Sequence, residues 1–408
     1  MKYAHLADLH LGSWRDEKMR ELSTQAFLKA MEQCVAQQVD FILFSGDLFN
    51  TSLPSLDTLK IVTKTLKEVQ EKNIPLYAIA GSHDFSPSGK TMLDVLENAG
   101  LLINVCKGYV NPETQQLHLK FTIDKKTGAK LTGMLGKKGL LDKVYYQNLH
   151  LDDLEREEGY KIFLFHTTLS ELKPKHLEKL ESQPLSFLPK NFNYYAGGHI
   201  HHPTLVEQEG YGTLTYPGAL FPNNFSELEQ YGKGGYYIIT VDNGMQKIDW
   251  VPLEMIKHHK LIMNCAHKTP DTITTAVIDS FQGVDLTDTL ITIRLNGALE
   301  SGRTADIDFK RIFEQLYAQG AYFVMKNTSG LEAEEFEELK IFSADSEQVE
   351  EQLIREHLGQ VKLFEVETEF NLTKALLLVL NTTKREGENT ADFQKRVGED
   401  VEKVINLN

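Results

Sequence analysis

A chain of 408 residues, 41% hydrophobic and 25% charged, has room for two or three domains and enough apolar surface for a real core. Its net charge of −15, from 58 acidic and 43 basic side chains, argues against strong unaided binding to a polyanion, which needs Lys and Arg to displace counterions. Cys34, Cys106 and Cys265 are too few and too widely spaced for a disulfide framework or a zinc cluster, and are expected as small buried residues.

The first hundred residues alternate strand and helix: strand 2–8, helix within 16–38, strand 39–45, helix from Leu56 to Lys72, strand 75–80 and a short helix over 91–99. This alternation predicts a sheet with parallel strands and right-handed crossovers, whose ligands gather beyond the carboxyl ends of the strands. Further strands are predicted at 161–165, 193–197, 204–207, 212–216 and 235–241. The mixture predicts a layered α/β sandwich over residues 1–255. No GxGxxG or P-loop pattern follows a strand, so no loop is built to cradle a nucleotide.

Residues 256–330 change character. KLIMNC, DTLITIRL and AYFVMK read as strands separated by two helices, a βαβαβ unit that forms a smaller α+β cap domain. Residues 331–408 read as an acidic linker and a helical tail: Leu331 to Glu351 holds nine acidic residues and one basic one, Lys340. Tail helices are predicted near 346–358, 372–380 and 390–406. Phe393, Val397, Val401 and Val404 lie on one face, and helices this short must pack on something. The longest aliphatic run, ALLLVL at 375–380, is far short of the ~20 residues that span a bilayer. The chain opens straight into a strand with no basic and apolar leader, and a cytoplasmic location is the expectation.

Three early strands end alike. KYAHLADLH delivers Asp8 and His10, VDFILFSGDLF delivers Asp47, and IPLYAIAGSHD delivers Ser82 and His83; KIFLFH and GGHIHH add His166, His199 and His201. Two carboxylates with several imidazoles form a nitrogen and oxygen donor set that suits Mn²⁺, Fe²⁺ or Zn²⁺ better than an all-oxygen Mg²⁺ or Ca²⁺ site. Asp8 and His10, like His199 and His201, are two residues apart and face one way past a strand end. Asp47 has two oxygens with which to bridge a pair of cations, the arrangement used for in-line phosphoryl displacement. In GGHIHH the two glycines and three histidines have no evident packing purpose.

DLH, GDLF, GSHD, FH and GGHIH, in this order, resemble the five signatures of the calcineurin-like metallophosphoesterases. MKYAHLADLHLG, GDLFNTSLPS and YPGALF resemble one branch most, the double-strand-break repair nucleases of the SbcD and Mre-eleven type; the motifs span residues 1–225. The resemblance implies a Mn²⁺-dependent DNA nuclease, exonuclease or endonuclease, working as a homodimer with an SbcC-like coiled-coil ATPase. It implies that Asp8, His10 and His201 bind the first metal, that Asp47 bridges, and that His166 and His199 bind the second. His83 would protonate the leaving oxygen while Asp84 orients its ring. Where the family carries Asn in GNHD, this chain has Ser82, a shorter and poorer neutral ligand, so the second metal is expected to bind more weakly. Where many relatives carry a histidine after GDLF, this chain has Asn50, able to donate a hydrogen bond to phosphate but not to carry a proton. His5 is expected in the core.

Leu56, Leu59, Val62, Leu66 and Val69 form a stripe that reads as a core face. The resemblance adds that this helix, with the one near Met92–Leu96, forms a two-fold dimer. It also suggests that the tail, through Phe393, Val397 and Val401, docks on the ATPase coiled coil. Two other readings stand beside the nuclease: a phosphodiesterase or phosphatase for small nucleotides or phosphoproteins on the same fold, and a non-catalytic scaffold. The second requires loss of ligands or of the catalytic histidine, and this chain keeps both.

Overall fold

The computed structural model describes residues 1–86, 89–137, 141–174, 180–332, 354–355, 365–385, 388 and 390–406. Residues Met1–Glu334 form one compact unit and Glu335–Asn408 a second.

Strand β1 (Lys2–Leu6) is buried on both faces, with Tyr3 and His5 on one side and Ala4 and Leu6 on the other. Such two-sided burial marks a central strand. The ladder ends earlier than the predicted Asp8 because Asp8 is left-handed, with φ of 51°. Helix α1 (Glu17–Ala36), β2 (Phe41–Ser45), α2 (Leu56–Gln70), β3 (Leu76–Ile79), α3 (Met92–Asn98) and β4 (Ile103–Asn104) continue the alternation. Asp16 and Ser55 start α1 and α2 by accepting from backbone N–H groups of the first turn, the ordinary use of these residues.

A hairpin, β5 (Gly108–Val110) and β6 (Leu117–Leu119), precedes β7 (Thr122–Ile123), β8 (Lys130–Met134), α4 (Lys143–Gln147) and α5 (Asp152–Arg156). Then come β9 (Lys161–His166), β10 (Tyr194–Gly198), β11 (Thr204–Gln208), β12 (Gly212–Tyr216), α6 (Phe225–Tyr231), β13 (Gly234–Asp242) and β14 (Met245–Leu253). Two six-stranded sheets result, ordered β14-β13-β1-β2-β3-β4 and β11-β12-β10-β9-β8-β7. Strands β1 to β4 pair in parallel, as do β8, β9, β10 and β12 in the second sheet.

The sheets face each other across Tyr3, Phe41, Leu43, Tyr77 and Ile79 on one side and Ile162, Leu164, Tyr194 and Ala196 on the other. Phe27, Met31, Val62 and Leu66 of α1 and α2 cover the outer face of the first sheet. Tyr146 and Leu154 of α4 and α5 cover that of the second. Each such buried side chain contributes about 1.5–3 kcal/mol. The predicted sandwich is observed, with helices outside both sheets. His5 lies in the inter-sheet core, its Nδ1 2.9 Å from the Tyr194 hydroxyl. Burial drives its pKa down to about 3, so the ring is neutral, as a core histidine should be.

Of the α2 stripe, Val62, Leu66 and Val69 are buried in this core, Leu59 is half-buried and Leu56 is 82% exposed. Cys34 and Cys265 are buried and Cys106 is half-buried, all three with free thiols.

The βαβαβ unit is β15 (Lys257–Asn264), α7 (Pro270–Asp279), β16 (Thr289–Ala298), α8 (Phe309–Ala318) and β17 (Ala321–Glu332). Its three strands are parallel and in sequence order, over a core that includes Ile273, Val277, Ile293, Ile312 and Leu316. Arg294 of β16 grips both carboxylate oxygens of Glu229 on α6, at 2.8 and 2.9 Å.

In the second unit, α9 (Val366–Leu380) and α10 (Thr390–Asn406) are helical. Helix α9 starts six residues before the predicted 372, with Glu367 and Glu369 in its first turn, where the helix dipole favours negative charge. On α10 the predicted face of Phe393, Val397, Val401 and Val404 is half-buried. The acidic stretch after Glu332 and the predicted helix at 346–358 lie outside the described residues, apart from Ile354 and Arg355, which are helical. Among the described residues, no helix is long and apolar enough to cross a membrane.

Candidate metal centre and active site

The parallel strands of both sheets end at one edge. Asp8, Asp47 and His83 follow β1, β2 and β3, while His166 closes β9 and His199 follows β10. Asp8, His10, Asp47 and His199 all have positive φ, at 51°, 43°, 53° and 86°. Each such non-glycine conformation costs about 1–3 kcal/mol and persists only where its surroundings over-determine it. Here they do: the backbone N–H groups of Asp8 and His10 donate to the carbonyls of Gly46 and Asp47, at 3.2 and 2.9 Å. The His199 N–H donates to both oxygens of Asp8, at 2.9 and 3.0 Å.

Asp84 ties two of these loops together. One of its oxygens accepts from the N–H groups of Asp47 and Gly81, at 3.0 and 2.8 Å, and the other accepts from Phe49 at 3.3 Å. The resemblance assigns Asp84 to orienting His83, and here the structure differs. His83 Nδ1 lies 2.8 Å from the backbone carbonyl oxygen of Asn50, and the Asp84 carboxylate is already taken up by three amides. Asn50 therefore holds the His83 ring through its main chain.

The side chains converge. His10 Nε2 is 3.2 Å from His201 Nε2 and 3.6 Å from Asp47 Oδ2, and His201 Nε2 is 3.8 Å from Asp8 Oδ1. His166 Nε2 stands 3.2 Å from Asp47 Oδ2. His199 packs its ring on His166 with centroids 5.3 Å apart, and His83 packs edge-on against His10 at 4.8 Å. Asp8, His10 and His201 can offer one ion a donor each, as can Asp8, Asp47 and His166, and also His10, Asp47 and His83. The Ser82 hydroxyl donates to Asp47 Oδ2 over 3.4 Å, and the His83 N–H donates to Asp47 Oδ1 at 2.7 Å. His10, Asp47, Ser82, His83, His199 and His201 line a cleft of about 410 Å³.

His166 shows why the glycines are where they are. Its Nδ1 lies 2.8 Å from the Ser45 carbonyl oxygen, which leaves Nε2 as the free donor. A Cβ at Gly46, Gly81, Gly136 or Gly198 would collide with the His166 ring or main chain. A Cβ at Gly197 would strike Phe165, Thr215 and Tyr216 instead. The glycines of GGHIHH, which have no evident purpose in the sequence, are thus packing residues: they let β10 close on β9 around the imidazole.

Sequence reading missed Glu227. On α6, its Oε1 lies 2.9 Å from His201 Nδ1, and its Oε2 accepts from the Asn223 N–H at 2.8 Å. Its backbone N–H donates to Asn224, the residue that caps the helix. The available signal was the Asn-x-x-Glu pattern of a helix start, which gives no hint of His201. His202 also reaches the cleft, its ring tilted on Tyr231 at 5.6 Å.

Electrostatics agree with a cation site. Burial opposes charge at His166, yet the Asp47 carboxylate outweighs it and pushes the imidazolium pKa up to about 10. Burial likewise opposes charge at His201, and the Glu227 hydrogen bond carries it up to about 9. Asp47 is held below the usual carboxylate range by His166 against its own burial. Asp8 is pushed up to about 6 and Asp84 to about 7, mainly by burial. Burial holds His10 and His199 well down, as uncharged ligands require. Two carboxylates and four imidazoles crowd together, with the buried His166 Nε2 facing Asp47 Oδ2 at 3.2 Å. A donor set of this kind fits a divalent cation.

Comparison with known proteins agrees with this geometry. Residues 1–203 match the family of calcineurin-like phosphoesterases. The chain is 29% identical over 267 residues to the DNA double-strand break repair protein Mre11 of Methanococcus maripaludis, covering 61% of this chain and 67% of that one. The Mre11 of Archaeoglobus fulgidus is 32% identical over 234 residues, covering 54% and 50%, and that of Methanopyrus kandleri 27% over 254 residues, covering 60% and 55%. The matched region thus spans from half to two thirds of those relatives. With the expected sandwich observed and the five motifs gathered at one sheet edge, the chain belongs, through its N-terminal domain, to the calcineurin-like phosphoesterases.

Proposed function

We propose that this chain is a metal-dependent DNA nuclease that hydrolyses phosphodiester bonds with two divalent cations, Mn²⁺ in the working enzyme. The observation that carries the reading is the convergence of Asp8 and Asp47 with His10, His83, His166 and His201, His83 being packed against His10. Asp8, His10 and His201 would hold the first cation, His166 and His199 the second, and Asp47 would be shared between them. Bound there, the cations would supply the charge that activates a water and steadies the phosphoryl oxygens. Ser82 hydrogen-bonds Asp47 and so serves the second position indirectly, which favours weaker binding there.

The chain's own residues do the rest. Asn50 holds His83 through Nδ1, leaving Nε2 as the atom that passes a proton to the leaving oxygen, a role suited to an imidazole near neutral pH. Asp84 keeps the His83 turn and the Asp47 turn in register, and Glu227 fixes the ring of His201. The Asn50 side chain, whose main chain holds His83, is the proposed donor to phosphate.

The Mre11 relatives supply the substrate class, DNA, and the setting, double-strand-break repair; the cytoplasm is the proposed location. A chain with net charge −15 needs a basic surface from elsewhere to hold a duplex, which supports an SbcC-like coiled-coil ATPase as partner. The exposed Leu377, Leu378 and Leu380 of α9 are apolar surface suited to such a contact. Leu56 on α2 and Val95 on α3, both exposed, are suited to a homodimer.

The test is cleavage of linear duplex and single-stranded DNA with Mn²⁺. His83→Ala is expected to lower the rate about 10²–10⁴-fold, the usual worth of a positioned acid, with Mn²⁺ binding by calorimetry unchanged. Cleavage at the wild-type rate by that variant would overturn the assignment, and no cleavage of DNA by the wild type would overturn the substrate.

A further inference from the structure

A second group of nitrogen and oxygen donors lies between β6 and α5, and none of its residues lines the cleft. His118 sits on β6, His150 between α4 and α5, and Asp153 on α5. Main-chain bonds set the two histidine segments side by side. The Leu117 N–H donates to Asn148 O at 2.8 Å, and the His150 N–H to Leu117 O at 2.9 Å. The His118 and His150 rings therefore stack, 4.3 Å apart and 26° from parallel, and Tyr109 also stacks on His118 at 5.2 Å. His118 Nδ1 is 3.3 Å and His150 Nε2 3.6 Å from the same oxygen, Asp153 Oδ2, and all three donors lie within 4.8 Å of one another.

His118 Nδ1 shares a long hydrogen bond with Asp153 Oδ2, whereas the 3.6 Å from His150 Nε2 is beyond a real bond. Gln116 sharpens the point. Its Oε1, which can only accept, lies 3.3 Å from His150 Nδ1, so Nε2 is the His150 nitrogen turned to Asp153, at 3.6 Å. A cation between the nitrogen and the carboxylate would satisfy both. The distances suit one. Bonds of ~2.0–2.1 Å in a tetrahedron place neighbouring donors ~3.3–3.4 Å apart, close to the two separations observed, and the two ring nitrogens lie within 4.8 Å of each other.

We propose that His118, His150 and Asp153 form an accessory site for a borderline divalent transition metal, Zn²⁺, with water in the fourth position. Two imidazoles and one carboxylate are the donors such an ion prefers, and Gln116 is the outer partner that fixes a ligand ring. The ion pins the exposed β5–β6 hairpin to α5, a structural role separate from hydrolysis.

The experiment uses the full chain carrying His10→Ala and Asp47→Asn, so that the cleft is crippled, and counts Zn²⁺ equivalents by calorimetry and metal analysis after dialysis. Adding His118→Ala or Asp153→Asn is expected to remove one equivalent and to abolish one step of the Zn²⁺-dependent rise in Tm. Asp153 is 65% exposed, so its substitution keeps the stacked rings and guards against a folding defect. The same number of equivalents with and without these substitutions would overturn the proposal.

Discussion

Gly198→Ala puts the close approach of the two sheets to a quantitative test. Gly198 pairs with His166 across β10 and β9, and its φ is not in the left-handed region, so an alanine meets no backbone penalty. The penalty is steric. The new methyl would overlap the Ser45 carbonyl oxygen and sit 2.7 Å from His166 Nδ1, in the space crossed by their 2.8 Å hydrogen bond. Overpacking costs about 1–3 kcal/mol, and stranding a buried donor and acceptor costs about 1–3 kcal/mol more. Against this, alanine regains about 0.5–1 kcal/mol of backbone entropy in a strand. The net loss is about 1–5 kcal/mol, a large share of the ~5–15 kcal/mol that holds a domain together. Trp14 and Trp250, the two tryptophans of the chain, both lie in the sandwich, so urea unfolding followed by their fluorescence reports this domain. Since the Ser45 bond fixes which nitrogen of His166 is free, Mn²⁺ affinity should fall about 10–100-fold as well. Gly398→Ala in α10, where nothing lies within 4 Å of the added methyl, should instead stabilise its helix by about 0.5–1 kcal/mol. A Gly198→Ala protein within about 0.5 kcal/mol of wild type, the range of harmless surface substitutions, and binding Mn²⁺ undiminished, would refute the reasoning.

In the metal-free protein, His166 and His201 carry protons up to about pH 10 and about pH 9, and ligands must shed them. Metal uptake at pH 8 should release about two protons, counted by calorimetry in buffers of different ionisation enthalpy, and apparent affinity should rise with pH up to those values. Glu227→Gln removes what holds the His201 proton, so the count should fall to about one; an unchanged count would sink the role given to Glu227. Asp142 is pushed by burial from 3.8 to about 6. The folded chain then binds more protons than the unfolded one in that window, and stability falls as pH rises through it. Asp142→Asn should flatten that fall, measured by urea unfolding in chelator at pH 4.5 and 7, and an unaltered slope would contradict it.

Much of the fold was legible in the sequence because its signals are local. Alternating strands and helices, the turn residues after each strand, and Asp and His at the strand ends are all properties of a few neighbouring residues, and Phe393 to Val404 announced one helix face by spacing alone. The order of the motifs was legible too, since a parallel sheet brings successive strand ends to one edge. Only the tertiary structure decided the relations between distant segments. Asp84 braces two turns rather than its neighbour's ring because its carboxylate faces amides from residues 47, 49 and 81. Glu227 serves His201 because α6 packs there, and His118 and His150 stack because a bridge aligns residues 117 and 149. The glycines around His166 carry no signal until β2, β3, β9 and β10 close on one ring. A residue's neighbours along the chain set its local conformation, whereas which side chains share a donor, a cavity or a proton is set by packing across the whole domain.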